Sequence, residues 1–273
     1  MTRSTWYSEL EPNCIIIIRV PIQSCSTMTH PVTATTLSLA VEAMTQATSL
    51  QYLKANGELL VVYDLETTGL DPKKHQILSM HFRVLHRVPE LKSPIEFGSM
   101  VRMEPDRFQW QPEAFKVNKM DPEEMKKPCY STIEEVMPKL YEWLRTLFLE
   151  LGAKMMTVVG YSGRHFDTQF LRRALALAKL PSCPGWLSFS DARLALQRLL
   201  PPGWKDMPNE KLFTVFHALT PFRIEEQETH SAKVDTLMLA AVLYAAQATT
   251  RVDSRSSLLG HVMLERESQD ARR

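Results

Sequence analysis

Leu59-Leu60-Val61-Val62-Tyr63 is an unbroken apolar run that ends in acidic residues and Gly69, the pattern of a buried central strand. Ile77 to His86 alternates loosely and reads as a second strand, and Met100 to Met103 as a third, ahead of a loop containing Pro105 and Pro112. From Thr132 the period changes to that of a helix. Ile133, Val136, Met137, Leu140, Leu144, Leu147 and Phe148 share one face, Thr132 with Glu135 fits a capping box, and Pro138 predicts a kink or restart. Met155 to Gly160 is again a buried strand, and the helix after it carries Phe166, Phe170, Leu171, Ala174, Leu175 and Ala178 on one face. Further helices are predicted around Ala192–Leu200, Lys211–Leu219 and Val234–Ala246. Strands come first and then alternate with helices, so the fold class is α/β, a mixed β-sheet flanked by helices, without internal repeats.

That pattern divides the chain into an N-terminal extension (1–56), a domain (57–249) and a polar C-terminal tail (250–273). Between Glu11 and Glu42 the extension has no acidic residue, one arginine and many Ser and Thr. This is faintly the composition of an organellar targeting segment, though such segments carry more arginine; a flexible tail is the other reading. Leu37, Leu39, Ala40, Ala43, Met44 and Ala47 form a short helical pattern that can pack on the domain.

Composition removes some classes and leaves others open. The longest aliphatic run of the extension, Ile15 to Ile18, ends at Arg19, so no membrane span is expected. Cys14, Cys25, Cys129 and Cys183 are scattered, which argues against a zinc site or disulfide framework and for a reducing intracellular compartment, nuclear, cytoplasmic or mitochondrial. A net charge of +1 does not favour wrapping a duplex. It is compatible with gripping a few nucleotides at one end, where metal ions offset the phosphates.

Three acidic features carry the chemistry. Strand alternation places Asp64 and Glu66 on one face at the end of a buried strand, with Leu65 opposite. Two such carboxylates repel unless a proton or cation lies between them, and a hard divalent ion such as Mg²⁺ or Mn²⁺ is the natural partner. Gly69, in the turn Thr67-Thr68-Gly69-Leu70-Asp71-Pro72, is read as a left-handed residue that lets a ligand approach the backbone. Gly160 and Gly163 loosen the loop Gly160-Tyr161-Ser162-Gly163-Arg164-His165-Phe166-Asp167, and Asp167 opens a helix. Third, His230 precedes Asp235 by five residues, which on one helix would set them about 140° apart. His230 is therefore expected in a loop, reaching over a site that Asp235 faces.

Asp64-x-Glu66-Thr67-Thr68-Gly69-Leu70, the loop to Phe166-Asp167, and His230-x-Ala232-x-x-Asp235 together resemble the DEDDh branch of the DnaQ-like exonucleases, with the ribonuclease H-like fold. Pro112 to Val117 and Asp191 add secondary likeness, and the resemblance spans about residues 58–248. One departure is Ser162, where the family usually carries an asparagine. The resemblance implies a 3′-to-5′ exonuclease that releases nucleoside monophosphates with two metal ions, Mg²⁺ or Mn²⁺. By the same resemblance Asp64, Glu66, Asp167 and Asp235 hold the metals, His230 is the general base, and Thr67, Thr68, Gly69 and Leu70 bind the terminal nucleotide. Lys119, Arg164, His165 and Arg172 are possible phosphate contacts, and Trp110 and Phe115 possible base-stacking rings. The implied partner is a single-stranded or frayed DNA 3′ end. An RNA-trimming enzyme and a non-catalytic nucleic-acid-binding module are the alternatives, and oligomeric state is not legible.

Overall fold

A computed structural model describes residues 33–48, 57–85, 91–163, 166–182, 184–199 and 207–249. The expectations for Ile15–Ile18, Cys14, Cys25, Cys183, Arg164, His165 and the tail at 250–273 lie outside those residues.

The elements run α1 (Ala34–Thr48), β1 (Glu58–Thr67), β2 (Ile77–Val84), β3 (Glu96–Met100), α2 (Pro112–Asn118), α3 (Pro122–Met125), α4 (Ile133–Glu150), β4 (Met155–Gly160), α5 (Asp167–Leu177), β5 (Leu187–Asp191), α6 (Ala192–Leu199), α7 (Leu212–Leu219), a 3-10 turn (Glu226–Glu228) and α8 (Ala232–Thr249). The sheet order is β3-β2-β1-β4-β5. β1 pairs antiparallel with β2 and parallel with β4. The expected mixed α/β sheet is therefore present, with β1 at its centre.

The continuous apolar run of β1 follows from having a core on each face. Leu59, Val61, Tyr63 and Leu65 pack with α4 and α5 residues such as Leu140, Leu144, Phe170 and Leu171. Leu60 and Val62 pack on the opposite face with Leu37 and Val41 of α1, Phe216 of α7 and Leu237 and Ala241 of α8. Because side chains alternate, Asp64 and Glu66 continue the second face, toward α8. A register irregularity at Glu66/Thr67, where Leu78 of β2 is skipped, ends the regular pairing beside the two carboxylates.

α8 is tied to the sheet by polar contacts as well as packing. Thr236 donates to His81 O at 3.2 Å, Tyr244 donates to Leu85 O, and Thr45 of α1 donates to the Tyr244 hydroxyl at 2.9 Å. Arg83 of β2, 2% exposed, reaches Glu96 on β3 and Glu42 on α1. His81 lies 3.6 Å from the same Glu96 carboxylate.

Several boundaries differ from the pattern-based reading. The third strand is Glu96–Met100, not Met100–Met103; it is a half-buried edge strand whose Glu, Gly and Ser give no apolar signal, and Val101 makes only a single bridge to Ser131. β5 was not expected, because its Leu187-Ser188-Phe189-Ser190 alternation is short and its serines are buried, Ser188 against Thr157 of β4. α2 falls in the segment read as a loop with Pro105 and Pro112, and α3 lies where no element was expected; both begin with proline at the first turn, the helix-start signal that marks them. α4 continues through Pro138, which lies in its second turn, and the Glu135 carboxylate accepts from the Thr132 amide at 2.8 Å. Among the described residues no helix is long and apolar enough to cross a membrane.

The buried ion network generates a stability prediction. The His81 imidazole beside it, and then the Arg83 guanidinium, hold the Glu96 carboxyl down at about 2. A depressed carboxylate stabilises the fold above its ordinary value near 4.5, and that contribution is lost as pH falls toward about 2. Glu96→Gln should lower unfolding free energy near neutrality by about 3 kcal/mol, since it leaves a buried guanidinium short of a partner. It should also flatten the acid limb of stability. Urea titrations across pH measure both, and a variant as stable as wild type with an unchanged acid limb would contradict the assignment.

Candidate functional site

Four carboxylates meet where β1 ends. Among the described residues, Asp64, Glu66 and Asp235 each present an oxygen within 4.8 Å of the others. Asp64 and Glu66 arrive on the α8-facing side of β1, and Asp235 arrives from the first turn of α8. Asp167 is buried at the start of α5, beyond that 4.8 Å trio. It comes from the layer on the other face of the sheet, where Thr168 meets the Tyr63 hydroxyl at 3.0 Å.

Each group in the cluster resists ionisation, chiefly because burial strips its carboxylate of water. Asp64 is raised well above its ordinary value by burial, then by Asp235, Asp167 and Glu66. Glu66 is pushed up to about 8 by burial, Asp235 and Asp167, with Lys119 opposing. Asp167 rises to about 8 through burial and the charges of Asp191 and Asp235. Asp235 rises to about 7 through burial, although the His230 backbone amide and Lys119 pull it down. One oxygen of Asp235 is buried without any hydrogen-bond partner. Clustered, oxygen-only donors with an unsatisfied carboxylate oxygen fit a hard divalent cation.

His230 stands in a bend directly before α8, with φ of 60°. A left-handed histidine is strained, and such strain persists where surrounding structure fixes it. Its pKa is lowered below 6.5 by burial, then by Lys119, so the ring is neutral at neutral pH. His230 and Asp235 open onto a groove of about 770 Å³ that Tyr161, Ser162, Lys211 and Phe213 also line.

The Thr67–Leu70 turn divides into framework and surface. Thr68 is fully buried; its amide donates to Gln76 O, its carbonyl accepts from Gln111 N, and its hydroxyl donates to Gln109 O. Thr68 therefore has a structural role in place of the expected nucleotide contact. Thr67 is buried, with its hydroxyl on Gly69 O at 2.8 Å, while Leu70 is 74% exposed. Gly69 is not left-handed as expected. A side chain there would meet the His75 ring at 2.6 Å and Gln111 Oε1 at 2.8 Å, so close packing is what requires glycine. The loop glycines are likewise packing residues: Gly160 and Gly163 approach each other over the Tyr63 ring, and among the described residues of that loop it is Ser162 that is left-handed, with φ of 57°.

Other expectations change once side chains are placed. Phe115 is buried and cannot stack a base, whereas Trp110 is 41% exposed and packs edge-on against it. The Arg172 guanidinium lies 5.2 Å over the Phe189 ring. Lys119 is not free for phosphate, because its ammonium donates to backbone carbonyls. Asp191 is fully buried and caps α6 through the Arg193 amide at 3.0 Å. Pattern reading missed the Tyr63 hydroxyl, which meets Thr168 next to Asp167, and Asn118, whose amide donates to Thr67 O at 3.0 Å. Only the position of Asn118 just before a helix end could have flagged it.

Residues 61–243 match the family model for exonucleases of the RNase T type. The chain belongs to the exonuclease family. This family's DnaQ-like, ribonuclease H-like fold agrees with the sheet described above. Solved structures similar to this exonuclease-family chain include the zinc-bound form of E. coli exonuclease I with single-stranded DNA (15% identity, TM-score 0.52, covering 67% of this chain and 39% of that one). The metal-free form of the same complex matches at 15% identity and TM-score 0.55, covering 71% and 40%. Exonuclease I of Methylocaldum szegediense matches at 18% identity and TM-score 0.54, covering 70% and 41%. At these identities the likeness is one of fold, and the chain spans about two fifths of those proteins' length. No curated protein matches the chain in sequence at comparable significance.

Raised folded-state carboxyls set the sign of a pH effect. Their contribution to stability is full below the ordinary carboxylate range and is lost as pH rises through about 7 to about 8. A divalent cation competes with those protons, so Mn²⁺ or Mg²⁺ should raise the unfolding midpoint by about 5 °C near pH 8 and by little near pH 5. Asp235→Asn should remove most of that difference. Calorimetry with and without chelator measures it; an equal shift at both pH values, or none, would argue against a cation site here.

Proposed function

We propose that this protein is a divalent-metal-dependent 3′-to-5′ exonuclease that releases nucleoside monophosphates from single-stranded or frayed DNA 3′ ends. The observation that carries the reading is the Asp64, Glu66 and Asp235 trio within 4.8 Å, one of its oxygens unpartnered, inside an exonuclease-family domain. Single-stranded DNA in the two similar E. coli exonuclease I structures supports the substrate class.

Asp64, Glu66 and Asp235 would hold Mg²⁺ or Mn²⁺, and Asp167, set back in the other layer, would support a second ion. Such ions would supply charge neutralisation at the scissile phosphate. His230, neutral near pH 7, would take the proton from the attacking water. The exposed Leu70 would lie against the terminal base, with Thr67 and Gly69 shaping the backbone beneath it. Ser162, at the rim of the groove, would meet the strand with a shorter hydrogen-bonding reach than the family's asparagine. The 3′ leaving oxygen would depart as the nucleotide is freed.

A denaturing-gel time course on 5′-labelled DNA and RNA of one sequence, with Mg²⁺ or Mn²⁺, tests the reading. Wild type should shorten the DNA stepwise, and faster than the RNA; faster loss of RNA would reassign the substrate class. Asp64→Ala should abolish shortening while leaving the fold intact. His230→Ala should lower kcat by about 10²- to 10⁴-fold with little change in KM. Full activity in Asp64→Ala, or strand binding without shortening by wild type, would refute the proposal.

A further inference from the structure

Lys119 closes α2 in the left-handed region, with φ of 56°. That conformation costs a non-glycine residue roughly 1–2 kcal/mol, so a lysine there calls for a compensating role of its side chain. The side chain supplies one. Its ammonium donates to Glu226 O at 3.2 Å, to Gln227 O and to Thr229 O at 3.0 Å. A lysine ammonium has three protons, and here all three have carbonyl partners.

The carbonyls belong to the Glu226–Glu228 3-10 turn and the residue after it, directly ahead of His230. None of the three turn residues is buried, so no hydrophobic side chain of the turn anchors it. Ile224, buried in the core with its amide on His217 Nε2 at 3.2 Å, holds the leading end of the turn, and Thr229 returns its hydroxyl to Glu226 O at 2.8 Å. Lys119 ties the rest of the turn, up to Thr229 beside His230, to the end of α2. α2, in turn, is anchored by buried Phe115 and by Asn118, which donates to Thr67 O next to Glu66. Two successive residues thus link the end of β1 to the turn that carries His230.

We infer that Lys119 is a positioning residue: by holding the carbonyls of residues 226–229 it sets His230 over the carboxylate cluster, and it does not bind substrate phosphate. The effect on rate rests on the exonuclease reading above, while the effect on the turn does not. The tests separate the two.

Hydrogen–deuterium exchange on the full chain reads the turn directly. In Lys119→Met, amides of residues 226–231 should exchange about tenfold faster or more, with the core of α8 unchanged. Lys119→Gly, which also relieves the left-handed strain, should fold at least as well and show the same rise. Lys119→Arg, which keeps charge and donors, should stay within about threefold of wild type. Unaltered exchange at 226–231 in Met and Gly variants would overturn the inference. In strand-shortening assays Lys119→Met should lower kcat by about 10- to 100-fold and leave KM within about threefold, and adding His230→Ala should cause little further loss. A raised KM with unchanged kcat, or losses that multiply with His230→Ala, would overturn it in favour of a phosphate contact. If wild type shortens no strand, the exonuclease reading falls and the exchange result alone decides the role of Lys119.

Discussion

Burial of the Asp64, Glu66, Asp167 and Asp235 carboxylates, with mutual repulsion added to it, is the constraint around which the rest of the molecule is arranged. Each pKa unit of upward shift is worth about 1.4 kcal/mol against the ionised form, so four shifted carboxylates oppose folding by several kcal/mol near neutrality. A fully buried Leu, Val or Phe contributes about 1.5–3 kcal/mol. A handful of well-packed side chains can therefore offset the cluster, provided they act on the same elements. They do: β1 is sealed on one face by α4 and α5 and on the other by α1, α7 and α8. The strand that carries two of the carboxylates is buried along its length except at Asp64 itself.

The same enclosure determines how the four acids differ. Three converge from one side, because alternation along β1 directs Asp64 and Glu66 toward the start of α8. Asp167 approaches from the other layer, which keeps it in electrostatic range of the trio but outside its 4.8 Å circle. His230 shares the α8 side but sits on a strained backbone outside the helix. Under the proposed function, this would give a rigid acidic floor with a separately suspended base, suited to phosphodiester hydrolysis because metal ligands must stay fixed while a base must meet a water that changes position with the strand.

The sequence made the centre legible and the periphery obscure, for physical reasons. Asp64, Glu66 and Asp235 could be found because two strong periodicities, the strand of β1 and the helix of α8, fix where their side chains go. β4 was readable residue by residue, being a buried strand without a competing helical pattern. β3 and β5 were missed or shifted because edge strands with serine, glycine and glutamate give little apolar alternation. Gly69, Gly160 and Gly163 were recognised as special but for the wrong cause. A glycine needed for positive φ and one needed for close approach look identical in sequence, and only the His75 and Tyr63 rings reveal which applies. Lys119 was equally opaque, since its partners are backbone carbonyls more than a hundred residues away.

α1 and α8 meet through Thr45 and Tyr244, positions 199 residues apart, and α8 also carries Asp235. On a ribosome, which adds about 5–20 residues per second, the first described helix would wait some ten to forty seconds for its partner. Until then β1 lacks the α8 part of that cover, and Asp64 and Glu66 lack the third carboxylate of the cluster, Asp235. Under the proposed function, catalytic competence and completion of the core would thus arrive with the same late segment, so a nascent chain would pass through its exposed, adhesive stage before it could cut any nucleic acid near it.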